Sequence, residues 1–403
     1  MAPDNEDPSS SEVVGAGQPQ LIPQLTQLLV TVRPRERSGS RMTNRVEYQK
    51  HWVLSEMLVL HIAAEDYCFV FEHHDDVLLL DSPVAPTRAS FYQVKTKASG
   101  KWTLSQLLKR DRTDEGVGFS ILGKLYLHKT NFGSSAAALT FVSNVPCSVR
   151  LGAASGEAGD VERACASQLH GDEQTTLLAK LRDEHGDTVA VGDVNLFFLV
   201  HSDLALRNTE DHGVGKLERF LSIQFPLRKL HVRAIYHALL GEISRRTGHE
   251  DIPTSFEQLV NERGLSRNAV DQILSRAGVH DDPDGALQVM RGLLAQLGWG
   301  PGRLQNFVAK WRQYEIERMN PEHTTLSRLR TRVNSAVVPF VRTDEAPLAA
   351  ILADVTGNSE VKAMAAANLL GKDYLEAMTL FEYMEAYEKH YSSPDSAASE
   401  EAA

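Results

Sequence analysis

Two short segments constrain the fold of this 403-residue chain more than any other feature. Residues 77–80 are apolar at every position, which is expected for a central strand that is covered on both faces. In residues 91–97, alternate side chains share one face of a strand, and this places Gln93, Lys95 and Lys97 together. Because a buried strand seldom carries three polar groups on one side, we expect this face to serve a site.

A turn between these segments would bring their polar ends together. Residues 82–87 contain two prolines, which are typical of turns. Folding the strands side by side brings Asp76, at the entrance of the first strand, against Gln93 and Lys95. The Asp76 carboxylate, the Gln93 amide oxygen and the Val94 carbonyl are oxygen ligands of the kind that hard divalent cations take. Phosphodiester hydrolysis uses such an ion, and Lys95 would position water and stabilise charge in the transition state.

The order of helix and strand signals predicts an α/β domain followed by an all-α C-terminal domain. A helix over 44–62 precedes strand signals at 68–72, 77–81, 91–96, 139–143 and 195–200. Residues 151–190 resemble an insertion with one helix near 175–183. Helical periodicity dominates after residue 225, at 234–246, 256–262, 268–277, 286–297 and 374–390. The expected domains are a largely disordered tail (1–40) with a short ordered piece at 21–32, an α/β domain (41–225), a helical domain (226–391) and an acidic disordered tail (392–403).

A net charge of −11 is unusual for an enzyme that binds nucleic acid, but most of the excess negative charge lies at the two ends of the chain. Residues 1–20 and the last twelve residues hold seven acids and no base, which leaves −4 for the rest of the chain. Between Arg88 and Lys129, nine bases face three acids, a local charge of +6. A basic stripe of this kind suits contact with phosphates, although a solvated charged face has the same composition.

The sequence also predicts the cellular compartment. The three cysteines are widely separated and form no CxxC or Cys/His pair, which indicates a reducing cytosol and no structural zinc. No signal peptide and no apolar run of membrane-spanning length is apparent. We therefore expect a cytoplasmic protein that has no membrane partner.

The segments VEYQKHWVLSEMLVL, FEHHDDVLLLD, SFYQVKTKASGKWT, GFSILGKLYLH and LTFVSNVP occur in this order over residues 41–205. Together they resemble the Cap-four-type dsDNA endonuclease domain, a PD-(D/E)xK nuclease of bacterial anti-phage effectors. The resemblance implies a restriction-endonuclease-like fold for residues 41–225, and cleavage of double-stranded DNA with Mg²⁺, or with Mn²⁺ in its place.

The resemblance also implies a core site of one aspartate and a QxK strand, matching Asp76, Gln93 and Lys95. Asp76 is favoured because it abuts the apolar strand, and Asp75 remains the alternative. Because Gln93 is neutral, a second acidic ligand is expected, and it is either Glu56 or Glu72.

Contacts to DNA are expected from lysines near this site. Lys97, Lys101 and Lys124 are candidates for phosphate binding, and each could equally be an ordinary solvated lysine. Residues 255–277 also have the outline of a helix-turn-helix, with a turn at Gly264 and Leu265. An ordinary helical hairpin produces the same pattern.

The resemblance says less about the second half of the chain. Related effectors carry an α/β sensor called SAVED, whose strands are missing from this half. A helical half suits a docking or oligomerisation role, so we expect a homo-oligomer and a HerA-type ATPase ring as partner. The competing interpretation is a catalytically silent DNA-binding or scaffold subunit that docks an ATPase through its helical half.

Overall fold

The computed structural model describes residues 24–32, 43–63, 66–110, 112–113, 116–152, 158–226, 229–249, 251–277, 280, 282–342 and 347–391. The predicted tail at 392–403 and most of the predicted tail at 1–40 lie outside these residues. Where the sequence predicted a short ordered piece at 21–32, the described residues form a helix over Leu25–Thr31.

The strands lie almost entirely in the first two thirds of the chain. They are β1 (Cys68–His73), β2 (Asp75–Leu80), β3 (Ala89–Lys95), β4 (Trp102–Thr103), β5 (Arg112–Thr113), β6 (Gly116–Val117), β7 (Ala136–Ser143), β8 (Cys147–Val149), β9 (Gly159–Val161), β10 (Arg163–Cys165), β11 (Phe197–His201) and β12 (Gly264–Ser266). Each of the five strand signals in the sequence coincides with one of these strands.

Helices connect the strands and make up the rest of the chain. They are α1 (Leu25–Thr31), α2 (Thr43–Ala63), α3 (Leu104–Leu107), α4 (Ile121–Phe132), α5 (Gly171–His185), α6 (Thr209–Gln224), α7 (Val232–Arg246), α8 (Phe256–Arg263), α9 (Arg267–Ala277), α10 (Pro283–Gln296), α11 (Pro301–Glu317), α12 (Thr324–Val341), α13 (Leu348–Gly357), α14 (Ser359–Ala367) and α15 (Lys372–Tyr391). The predicted succession of an α/β part and a helical part is confirmed.

A mixed seven-stranded sheet is the frame of the α/β part, with strand order β10, β11, β7, β3, β2, β1, β12. The strands β3, β7 and β11 run parallel, and the other neighbours pair antiparallel. The segment interpreted as an insertion is part of this frame, because it supplies the edge strand β10 and the helix α5, which packs on α4. The edge strand was not predicted.

Both faces of the sheet are covered, because successive strand residues point to opposite sides. Leu78 and Phe91 pack in one hydrophobic cluster with Leu125 of α4. Val77 and Val94 pack in a second cluster beneath α2. The neighbours Val77 and Leu78 are at most 1% exposed, which confirms the two-sided coverage predicted for residues 77–80.

The cluster beneath α2 continues past residue 225. Ile235 and Leu239 of α7 and Val270 of α9 belong to the same cluster as Val77. These helices therefore pack on the sheet side of the molecule, although α7 also contacts α11. We propose that the boundary between the two parts of the chain lies near residue 280.

The strand β12 replaces the turn that the sequence predicted between α8 and α9. It pairs antiparallel with β1, with Leu265 opposite Phe69, and so covers one edge of the sheet. A Cβ atom on Gly264 would lie 2.5 Å from the Val260 carbonyl oxygen, so this close approach requires glycine. Without β12, the backbone groups along the outer side of β1 would be unpaired. Hydrogen bonds to these groups explain why residues 264–266 form a strand although their sequence has no strand signal.

A third hydrophobic cluster lies within residues 283–391, which we call the helical unit. Charged groups are buried beside it. Tyr314 Oη donates to Glu382 Oε1 at 2.5 Å, and Arg330 Nε donates to the same oxygen at 3.0 Å. Arg318 Nη2 donates to Glu385 Oε2 at 3.1 Å. Both glutamates are at most 1% exposed, so their carboxylates are almost fully withdrawn from solvent.

Two further observations concern the cysteines and the longest helices. All three cysteines are free thiols. Within the described ranges, no helix is both long enough and apolar enough to cross a membrane.

Candidate active site

The hairpin of β2 and β3 brings the predicted site residues together. Val77 lies opposite Tyr92 in the ladder, so Asp76 and Gln93 meet at the end of the paired region. The Asp81 carboxylate closes the turn between the strands by accepting from the Thr87 amide at 2.9 Å and from its hydroxyl at 2.6 Å. The prolines and the Asp81 contacts together hold the register that the site needs.

The Asp76 carboxylate is the centre of the group. Its Oδ2 accepts from Gln93 Nε2 at 2.5 Å and from the Val94 amide at 2.8 Å. Lys95 Nζ lies 4.0 Å from the same oxygen. The structure thus brings together the aspartate and both polar residues of the QxK strand, Gln93 through a direct hydrogen bond and Lys95 through an ion pair.

The environment of Asp76 disfavours its charge. Its pKa is raised to about 6, chiefly by burial and in smaller part by the nearby Asp75. The positive charge of Lys95 and the donors from Val94 and Gln93 lower it, but they do not compensate for the burial. A carboxylate that is not fully compensated by its own protein is well suited to receive a cation.

Asp75 has other partners. Its Oδ2 lies 3.0 Å from His128 Nε2, and its side chain is 7% exposed. The His128 ring stacks on Phe91 with centroids 4.1 Å apart, which fixes the imidazole against the strand. Asp75 Oδ1 accepts from the Asp76 amide at 2.9 Å. Asp75 is therefore bound to α4, while Asp76 is the carboxylate beside Gln93 and Lys95.

A small pocket opens at Asp76. Glu72 lines it from β1, Gln49 and Lys50 line it from α2, and Thr247 lines it just after α7. Lys50 Nζ contacts Glu47 Oε1 at 2.8 Å, and the Lys50 side chain is only 13% exposed. Sequence reasoning did not identify Lys50 or Thr247, because neither residue stands in a local pattern that marks it as part of a site.

The two candidates for a second acidic ligand lie in different places. Glu72 shares the pocket with Asp76. Glu56 does not line that pocket, and the charges that act on it are those of Arg163, Lys216 and Asp203. Burial raises the pKa of Glu56, with Arg163 and Lys216 opposing this effect. The structure therefore groups Glu72, and not Glu56, with the QxK strand.

The three lysines proposed for DNA contact differ in their surroundings. Lys97 Nζ donates to the Lys101 carbonyl at 2.8 Å and lies 3.7 Å from the centre of the Trp102 ring, so it braces its own loop. Lys101 is 54% exposed and pairs with Asp160 at 2.8 Å. Lys124 lies partly buried on α4.

The donors at the site are consistent with a hard cation. Among the residues that the structure describes, no three His, Cys, Asp or Glu side chains are arranged to hold a metal ion. A site here would therefore depend on Asp76 and Glu72, completed by the neutral oxygens of Gln93 and Val94. Hard ions such as Mg²⁺ keep several waters and need only one or two carboxylates, so this donor set fits them.

Comparison with known proteins agrees with this geometry. Residues 37–247 match the family model described as "Cap4, dsDNA endonuclease domain", and the match contains Asp76, Gln93 and Lys95. No curated protein and no solved structure matches the chain. The matched segment covers more than half of the 403 residues. The chain therefore belongs to the Cap4 dsDNA endonuclease domain family.

Proposed function

We propose that this protein cuts double-stranded DNA in a reaction that depends on a divalent cation, as an effector of bacterial anti-phage defence. The observation that carries the proposal is the contact of Asp76 with Gln93, Val94 and Lys95 inside the segment that matches an endonuclease family. A buried carboxylate that meets an amide and an ammonium group beside a pocket is costly for folding alone, so the convergence of Asp76, Gln93 and Lys95 indicates chemistry.

Mg²⁺ is the proposed cation, with Mn²⁺ as a substitute. Asp76 and Glu72 would hold it, together with the Gln93 amide oxygen and the Val94 carbonyl. A divalent cation at this place supplies charge for the scissile phosphate and lowers the pKa of a water molecule. In the structure, Gln93 donates its amide to Asp76, so its side chain would turn to present oxygen to a cation.

Lys95 acts on the phosphate. Its ammonium group lies 4.0 Å from Asp76 Oδ2, and its side chain is 36% exposed, so it reaches both the carboxylate and a substrate in solvent. It orients the attacking water and stabilises the negative charge that develops on the phosphorus oxygens. Lys50 lines the pocket that opens at Asp76, and its positive charge is proposed to contact a neighbouring phosphate.

Removal of divalent cations is the direct test of the proposal. We expect the purified chain to convert supercoiled plasmid to linear DNA with Mg²⁺, and to lose this activity completely in EDTA. Because oxygen ligands accept either ion, Mn²⁺ should restore cutting to the chelated protein. If the purified chain does not cleave DNA, the assay is repeated with its candidate ATPase partner. A chain that binds DNA but does not cleave it with the partner present would be the catalytically silent subunit instead.

The helical unit is proposed to dock a partner or a second copy of the chain. Two features support this role: the unit has a hydrophobic core of its own, and none of its described residues lines the pocket at Asp76. Sedimentation velocity of the full chain is expected to show a homo-oligomer, and mixing with a HerA-type ATPase ring should produce a faster-sedimenting complex. A chain that sediments as a monomer and does not bind the ATPase ring would contradict both the proposed self-association and the proposed docking.

A further inference from the structure

Arg263, the last residue of α8, is buried between the active-site strand and a loop. Its side chain is 5% exposed. Nη1 donates to the Glu72 carbonyl at 2.7 Å, and Nη2 donates to the carbonyls of His249 at 2.6 Å and Asp251 at 2.7 Å. A single guanidinium group therefore ties the end of β1 to the segment that follows α7.

The backbone at Glu72 needs such support. Its φ is +48°, in the left-handed region that a side chain with a Cβ rarely adopts, and His74 nearby has φ +68°. Such conformations persist when the surroundings hold them, and they cluster at functional sites. Here the Arg263 bond acts on the carbonyl of the strained residue itself.

The same segment also holds the Glu72 side chain. Gly248 N donates to Glu72 Oε2 at 2.9 Å, and the preceding residue, Thr247, lines the pocket. Arg263 fixes this segment through the carbonyls of His249 and Asp251. Arg263 thus holds the Glu72 backbone directly. It holds the Glu72 carboxylate indirectly, through the segment that contains Gly248.

We propose that Arg263 is a positioning residue of the nuclease site, which keeps the Glu72 carboxylate in the pocket beside Asp76 and thereby sets the affinity for a divalent cation. The inference rests on the proposed function, since it takes Glu72 as a cation ligand. It extends the site beyond the matched segment 37–247, to a helix that the sequence assigned to a separate helical domain.

Binding of Mn²⁺ to the DNA-free full chain, measured by electron paramagnetic resonance, tests the inference without requiring cleavage. The substitution Arg263→Lys keeps the charge but loses the fork that reaches three carbonyls. Changes in groups that orient metal ligands typically cost about 10-fold to 100-fold in metal affinity, so we expect the Mn²⁺ dissociation constant to rise about 10-fold. The matched control is Arg246→Lys, since Arg246 is equally buried but binds Glu322 and the Asn261 carbonyl. This control should leave Mn²⁺ binding unchanged.

A double-mutant cycle with Glu72→Gln separates positioning from general support. Glu72→Gln alone should weaken Mn²⁺ binding, and Arg263→Lys should add no further loss in that background. Equal losses in both backgrounds, or a Glu72→Gln variant that binds Mn²⁺ normally, would overturn the inference. Thermal unfolding of every variant monitors folding.

If Arg263→Lys does not fold, hydrogen exchange of the parental chain decides the question. Mn²⁺ should slow exchange at the Gly248 amide, which is bonded to Glu72. Unchanged exchange there overturns the inference. Failure of the proposed function would give a different result. If the variants change Mn²⁺ binding as expected but the parental chain never cuts DNA, the role of Arg263 stands and the assignment as a nuclease is wrong.

Discussion

Replacement of Lys95 by alanine is expected to lower the rate of plasmid cleavage by about 10²-fold to 10³-fold, the usual loss when one electrostatic stabiliser of a transition state is removed. The fold should survive, because the Lys95 side chain is 36% exposed and lies 4.0 Å from its carboxylate partner. The measurement is a time course of supercoiled plasmid loss at saturating Mg²⁺, with thermal unfolding of both proteins alongside.

Two further variants sharpen the Lys95 result. Lys95→Arg keeps the charge and should retain part of the activity. Lys362→Ala removes an exposed lysine from α14, in the helical unit, and should cut at the parental rate. If Lys95→Ala also cuts at the parental rate, the role assigned to Lys95 is wrong.

Replacement of Glu382 by alanine is expected to lower the free energy of unfolding of the helical unit by about 3–5 kcal/mol, as for other buried ion pairs that lose one partner. Glu382 is 0% exposed, and the change leaves Arg330 Nε and the Tyr314 hydroxyl without their acceptor. Urea titration followed by hydrogen exchange in α11 and α15 measures this loss where it occurs.

The control for Glu382→Ala is the same substitution in an ion pair that is exposed to solvent. Glu360 on α14 pairs with Arg332 on α12, and both side chains are about half exposed. Because water screens such pairs, Glu360→Ala should cost about 0–1 kcal/mol. Equal effects of the two substitutions would show that burial does not govern the contribution of the Glu382 network.

Neighbouring glutamate Glu385 illustrates the balance in this network. Burial alone would raise its pKa, but Arg318, Lys389 and Arg330 more than reverse that effect, and the pKa is lowered. Removal of a partner therefore exposes the full cost of burial, which is why a loss larger than that of a surface pair is expected.

The central hairpin could be predicted from sequence because its evidence is local. Apolar residues at 77–80, alternation at 91–97 and two prolines between them determine strand, face and turn within 21 residues. The contact of Asp76 with Gln93 follows from that register, and the structure contains it. The role of these residues in cutting DNA stays a prediction.

Local sequence evidence could not decide which glutamate is the second acidic ligand of the proposed cation. Glu56 and Glu72 are equally plausible along the chain, since each belongs to an element that borders the hairpin. Their separation depends on how α2 crosses the sheet, which turns Gln49 and Lys50 toward Asp76 and leaves Glu56 beside Arg163. A crossing angle arises from packing between distant segments, so no local pattern encodes it.

By itself, the sequence determined the α/β part, its family, the hairpin and the three residues that meet at Asp76, because strand periodicity and turn chemistry act over a few neighbours. The tertiary structure decided what closes the pocket. Gly248 and Arg263 bond to Glu72 across separations of 176 and 191 residues, and Thr247 lines the same pocket. Such contacts are selected by the edge of a folded sheet and by buried groups that must find partners, and these exist only after the chain has packed.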